Sequence, residues 1–221
     1  MLIIKAKLPT KNLPIKRVMA KLFQSFVYTQ LDDKEHDGYK HANGKVFKAM
    51  NFKMQYIGHE IVIQYVALDK ENEKKVATAI LKEGLKLGEI HISSAEVSLE
   101  NRHHDSVKEI KVSGFVCAAI KEGKSSKKIY LEPKSAKFQE IIYNNTLQKY
   151  EALFGKAYEG ELKIEVLSQK PDARTFFYNK GVMKSWHGVY KIVADEEILG
   201  MVLDTGIGAQ AMQGVGFVEI L

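Results

Sequence analysis

Two Gly-apolar-Gly units, Gly206-Ile207-Gly208 and Gly214-Val215-Gly216, stand near the end of the sequence and limit its fold more than any other feature. Glycine has no Cβ, so at each unit the backbone can turn tightly or approach a neighbour closely. Gly206-x-Gly208-x-x-Ala211 has the spacing of a dinucleotide-binding loop, which needs a strand before it, a helix after it and an acidic residue about twenty positions on. Only ten residues follow Ala211, and no Lys-Ser/Thr pair follows the glycines to make a P-loop. Tight turns at a domain end would also use these glycines. The expectation is a glycine loop entering a terminal strand, Val215 to Leu221.

The periodicity upstream gives the element order. Leu2 to Leu8 reads as a strand. Ile15, Val18, Met19, Leu22, Phe23, Phe26 and Val27 then recur at three-and-four spacing, which predicts an amphipathic helix whose other face carries Arg17, Lys21, Gln24 and Tyr28. A polar loop, Asp32 to Gly44, leads to strands at Val46–Gln55 and Glu60–Ala67 with a turn near Gly58. A helix from Lys70 to Lys86 follows, capped by Asp69, with Val76, Ala77, Ile80 and Leu81 as its buried stripe. Glu89 to Leu99 reads as a strand. The second half repeats this order: strand Ile110–Ile120 with a hairpin arm to Tyr130, helix from Ser135 to Phe154 stopped at Gly155, strands Glu161–Leu167 and Val182–Val193, a short helix capped by Asp195, and the terminal strand. The predicted class is α+β, with two tandem ferredoxin-like (RRM-like) β-α-β-β-α-β domains over 1–104 and 105–221, split near His103-His104-Asp105.

Charge is placed unevenly. Residues 1–53 hold eleven Lys and Arg against four acids, a net +7, whereas the whole chain carries +6. Cations concentrated in one part point to a bound polyanion such as nucleic acid. A hydrophobic content of 45% allows one large core or two small ones. The lone cysteine, Cys117, makes no internal disulfide and no cysteine-based zinc site, which suits a reducing cytosol; the expected location is the cytoplasm. No apolar run approaches the roughly eighteen residues of a membrane span, and Met1-Leu2-Ile3-Ile4 is too short for a signal peptide.

No HExxH, no GxSxG and no metal-ligand cluster occurs, so neither a metal nor a cofactor is expected. His59 and His91 have no evident partners, the adjacent His103 and His104 would point to opposite sides of an extended segment, and His187 beside Trp186 reads as packing or a surface contact. That leaves His36 and His41 in the basic loop, with Tyr28 before them, Tyr39 between them and Lys45, Lys48 and Lys53 after them. Histidine moves protons near neutral pH, and lysine or tyrosine can neutralise charge developing on a phosphate. RNA supplies its own nucleophile in the 2′-hydroxyl. A small-molecule phosphatase on this fold would want an arginine-bearing loop after the first strand, which Lys7-Leu8-Pro9-Thr10-Lys11 lacks.

The chain resembles the CRISPR-associated endoribonucleases of the sixth Cas family, within the repeat-associated RNA-binding superfamily. The resemblance rests on the paired terminal glycine units, Trp186-His187-Gly188, Asp195-Glu196-Glu197-Ile198-Leu199, Asn144-Asn145 with Lys149-Tyr150, and His36 ahead of Phe47-Lys48-Ala49-Met50-Asn51-Phe52. It implies metal-independent cleavage of repeat RNA to guide RNAs, leaving 2′,3′-cyclic phosphate and 5′-hydroxyl ends. By the same resemblance His36 would transfer the proton, Lys48 would stabilise the phosphate, and Tyr28 matches a tyrosine that some members place in the site. His41 is a second candidate for the proton carrier. Arg17, Lys21, Lys45 and Lys53, with Gly206, Gly208, Gln210, Gly214 and Gly216 of the glycine loop, would hold RNA. Lys53 stands where the family usually has a small hydroxyl residue. Repeat RNA is the expected partner, with effector-complex subunits or a second copy as further partners; a non-catalytic RNA-binding subunit is the competing reading.

Overall fold

A computed structural model describes residues 1–8, 13–102, 107–121, 128–168, 171–178 and 181–221, with the side chains of 13–17 also outside the description. The expected boundary at 103–106 and most of the Lys7–Lys11 segment therefore lie outside the described residues. The first half runs β1 (Leu2–Lys7), α1 (Leu13–Thr29), α2 (Asp33–Asp37), β2 (Tyr39–Lys40), β3 (Val46–Phe47), β4 (Met50–Ile57), β5 (Glu60–Ala67), α3 (Lys70–Glu83), β6 (Leu85–Leu87), β7 (Ile90–Ile92) and β8 (Glu96–Leu99). The second runs β9 (Glu109–Val116), β10 (Ala119–Lys121), β11 (Lys128–Tyr130), α4 (Ala136–Phe154), β12 (Lys163–Val166), β13 (Asp172–Tyr178), β14 (Gly181–Val193), α5 (Glu196–Thr205) and β15 (Val218–Ile220).

The molecule is mixed α+β with two main antiparallel sheets, ordered β4-β5-β1-β8 and β12-β14-β9-β15, with β13 added alongside β14. Alternation sets the buried side of each strand. Leu2, Ile4 and Ala6 of β1 face the first core with Ile61, Ile63 and Tyr65 of β5, and Met19, Phe23 and Val27 of α1 close over them. The second core joins Val112 and Tyr190 from the sheet to Phe138 and Ile142 of α4 and Ile198 and Val202 of α5. Asp69 caps α3 by accepting the Glu71 N–H at 2.9 Å, and Asp195 caps α5 by accepting the Ile198 N–H at 3.1 Å.

Several expectations are corrected. The polar stretch after α1 contains a short helix and a two-stranded ribbon, because Asp32 to Asp37 closes one turn on the Asp32 carbonyl. Helix α3 stops at Glu83, since Gly84 takes φ +75 and lies against the Ile92 carbonyl, and Lys86 falls in the β6–β7 hairpin. Leu81 points to solvent at 70% exposure and Val18 is also exposed, so the buried stripes are narrower than the periodicity implied. Strand β13 was unforeseen; its paired residues Arg174 and Thr175 are exposed, which gives little apolar alternation to read.

Candidate active site

Three residues, from α1, α2 and the position just after β3, meet at the C-terminal end of α1. Tyr28 sits in the last turn of α1, and its ring meets the His36 ring edge-on at 4.9 Å between centroids. The Lys48 ammonium lies 5.1 Å from the centre of the Tyr28 ring and donates to the His36 carbonyl. Local backbone makes this convergence possible. Gly38 ends α2 at φ +84, and a Cβ there would stand 2.6 Å from the Phe47 carbonyl oxygen, so only glycine lets β3 pass close enough to return Lys48 to His36. Glu35, buried beneath, accepts from the Tyr39 hydroxyl at 2.8 Å and helps anchor the helix.

The chemistry of the cluster follows from its surroundings. Burial raises the Tyr28 phenol to about 12, so at neutral pH it can donate a hydrogen bond but does not act as a base. Burial also lowers the Lys48 ammonium from its usual value, opposed by Asp37 and Glu35. The His36 side chain is 62% exposed, with Asp37 at 3.7 Å from Nδ1. An exposed imidazole beside a cation and a phenol donor can exchange protons with a bound phosphodiester.

His41 has a different setting. Its side chain is 11% exposed, and Nδ1 accepts the Asn43 N–H at 3.1 Å. The ring proton therefore sits on Nε2, which faces Glu151 of α4 at 3.2 Å. Both nitrogens are thus occupied, Nδ1 within its own loop and Nε2 in a contact between the halves. His41→Ala is expected to lower stability by about 1 kcal/mol and leave the rate of bound-substrate cleavage within about threefold; urea unfolding and single-turnover kinetics check the two outcomes.

Residues expected to hold RNA divide likewise. Lys21 is exposed on α1, and Arg17 lies on the same helix with its side chain outside the described residues. Lys45 donates to Asn145 at 3.0 Å and Gln148 at 2.8 Å, and Lys53 pairs with Glu219 at 2.6 Å. Both lysines therefore already join the two halves. Gly206, Gly208 and Gly216 are buried and approach the protein itself: a Cβ on Gly206 would be 2.2 Å from the Gly216 oxygen, and one on Gly208 2.6 Å from the Cys117 oxygen. The glycines thus serve internal packing, while Gly214 is half-buried and less crowded.

The tip of the loop, including Gln210 at φ 72, borders a cleft of about 770 Å³ between the halves. Lys45, Lys48, Lys121, Lys128, Lys137 and Lys149 line it, without an acid among the described lining residues. Sequence reasoning missed Lys121, Lys128 and Lys137, which come from a half with a net charge of only +1; the Lys-rich stretch 121–128 was the available signal. Among the described residues no group of three or more His, Cys, Asp or Glu could hold a metal, and no helix is long and apolar enough to cross a membrane.

The family description "CRISPR associated protein Cas6, C-terminal" matches residues 100–220, more than half of the sequence. The chain belongs to the Cas6 family. Among curated proteins, the CRISPR-associated endoribonuclease Cas6 of Pyrococcus furiosus is 25% identical over 112 residues, which are 50% of this chain and 40% of that relative. The match thus spans less than half of the relative's length. A solved Cas6-related protein from Pyrococcus furiosus has a TM-score of 0.72 at 16% identity, covering 100% of this chain and 98% of its own. An RAMP protein binding different RNA substrates gives 0.71 at 17% with full coverage of both chains, and a Cas6 product complex gives 0.69 at 15% with 100% and 98% coverage. At these identities the shared property is the fold. In this Cas6 chain the close backbone contacts of the paired glycine units seat the loop between Asn51 of one half and Cys117 of the other.

Proposed function

We propose that this chain is an endoribonuclease that cuts CRISPR repeat RNA without a metal ion, through attack by the RNA's own 2′-hydroxyl. The observation that carries the reading is the meeting of Tyr28, His36 and Lys48 beside a cleft whose described lining holds six lysines and no acid. The 2′-oxygen forms a new bond to phosphorus as the bond from phosphorus to the 5′-oxygen breaks, leaving a 2′,3′-cyclic phosphate and a 5′-hydroxyl. One proton leaves the 2′-hydroxyl and one reaches the departing 5′-oxygen; His36 carries one of these transfers. Lys48 opposes the negative charge that builds on the phosphate in the transition state, while the Tyr28 ring, whose hydroxyl is buried, holds His36 and Lys48 together.

The strand orders of the two sheets support reading each half as a ferredoxin-like β-α-β-β-α-β unit, with the division near residue 104. The cleft between them then holds the RNA backbone on its lysines other than the buried Lys149 and on the loop tip at Gln210 and Gln213. The Cas6 of Pyrococcus furiosus carries the name endoribonuclease, which agrees with this chemistry.

The test is cleavage of RNA transcribed from the host's repeat, in excess chelator, with and without a 2′-deoxy substitution at the cut site. The normal RNA is expected to be cut, and the 2′-deoxy RNA to bind with similar affinity and remain intact. Binding without cleavage of the normal RNA would favour a non-catalytic RNA-binding subunit. Cleavage of the deoxy substrate would overturn the proposed nucleophile.

A further inference from the structure

One buried polar side chain from each half holds the stems of the glycine loop. Asn51 of β4 has no exposed surface. Its Oδ1 accepts the Phe52 N–H at 2.8 Å, and its Nδ2 donates to the carbonyls of Thr205 at 3.4 Å and Val215 at 3.2 Å. Lys149 of α4 is 3% exposed. Its ammonium donates to the Thr205 carbonyl and Thr205 Oγ1, both at 3.2 Å, and to the Gly206 carbonyl at 2.6 Å. The Thr205 carbonyl thus accepts from both halves. Between these stems the Ile207 N–H donates to the Gly216 carbonyl at 2.9 Å and closes the loop base.

The chemistry of Lys149 is unusual for a purely structural filler. Its described partners are oxygen dipoles at the C-terminus of α5, where unpaired carbonyls carry partial negative charge. Burial pushes its ammonium down to about 7. An apolar side chain of the same length would fill the space without that desolvation cost. What an apolar residue could not do is fix three oxygens at the root of the loop. The same lysine lines the cleft beside Gly208, Ala209, Gln210, Ala211 and Gln213. Tyr150, next along α4, and Lys156, just beyond its Gly155 cap, meet Glu197 in the first turn of α5, so this segment grips α5 at both ends.

We infer that Asn51 and Lys149 are positioning residues that act on RNA through the glycine loop, clasping its stems at the shared Thr205 carbonyl so that the 209–213 tip is held ordered in the cleft. The inference rests on the reading of that cleft as the RNA site. Neither side chain needs to touch the reacting phosphate.

Asn51→Ala and Lys149→Met test it, the second keeping the length and apolar stem of the lysine. In the free protein, amide hydrogen exchange over 206–216 is expected to rise at least about tenfold in each variant. The Kd for RNA transcribed from the host's repeat should weaken about tenfold, the scale of one or two lost hydrogen bonds, while the single-turnover rate at saturating RNA stays within about threefold. Partial misfolding would lower the active fraction and leave Kd unchanged, so the split separates loop positioning from general damage. Unchanged Kd in folded Asn51→Ala, or faster exchange without weaker binding, overturns the inference; if Lys149→Met does not fold, Asn51→Ala decides alone. Wild-type protein that neither binds nor cuts RNA would instead overturn the proposed function, and the exchange measurement would still judge the clasp.

Discussion

Replacing His36 with alanine is expected to slow RNA cleavage by about 10²–10⁴-fold, the usual contribution of a positioned proton carrier. That loss corresponds to about 3–5 kcal/mol in the activation barrier. The effect should be nearly confined to chemistry, because the His36 side chain is 62% exposed and touches mainly the edge of the Tyr28 ring. RNA affinity should stay within about twofold and the unfolding midpoint should barely move. His41→Ala is the comparison that gives the result meaning, since that ring is tied to Glu151 and Asn43. If His36→Ala cut at the parental rate while His41→Ala did not, the proton carrier would have been assigned to the wrong residue.

Gly206→Ala is expected to cost the most stability of any single methyl addition considered, about 2–6 kcal/mol. Gly206 has φ 74 and ψ −177, a region that only glycine enters cheaply, and strain there costs about 1–3 kcal/mol. A Cβ would also stand 2.2 Å from the Gly216 oxygen and 2.3 Å from Asn51 Nδ2, forcing apart the two stems for about 1–3 kcal/mol more. Gly44→Ala separates the two causes: its φ is +84, but nothing lies within 4 Å of the added carbon. Urea unfolding of both variants should therefore show a clearly larger loss at Gly206. Equal losses would mean that the close approach of the stems contributes nothing beyond backbone strain. Since a domain is typically stable by about 5–15 kcal/mol, the Gly206 variant could lose a large share of its folded population at physiological temperature.

Much of the secondary structure was legible because each long element carries its own local signals. Helix α1 shows through Met19, Phe23, Phe26 and Val27 on one face, and α4 ends at Gly155, which takes the left-handed conformation expected of a helix stop. Strand β5 alternates Ile61, Ile63 and Tyr65 inward and matches its expected bounds, Glu60–Ala67. The short elements after α1 gave no such signal. Helix α2 has five polar residues, and β2 and β3 have two residues each, so no periodicity could reveal them. Their shapes come from Gly38 and the neighbouring strand, and these small pieces are what carry Lys48 to His36.

By itself, the sequence determined the order of the long elements, the terminal glycine loop and the short list of groups able to move protons or hold phosphate. Tertiary structure alone decided what each group is free to do. His41 meets Glu151 across 110 positions of chain, Lys45 meets Asn145 across 100, and Lys53 meets Glu219 across 166. Local propensity contains no trace of such pairings. The same folding gathers Lys121, Lys128 and Lys137 with Lys48 around one cleft, because field strength depends on distance in space while a charge count along the chain records only order.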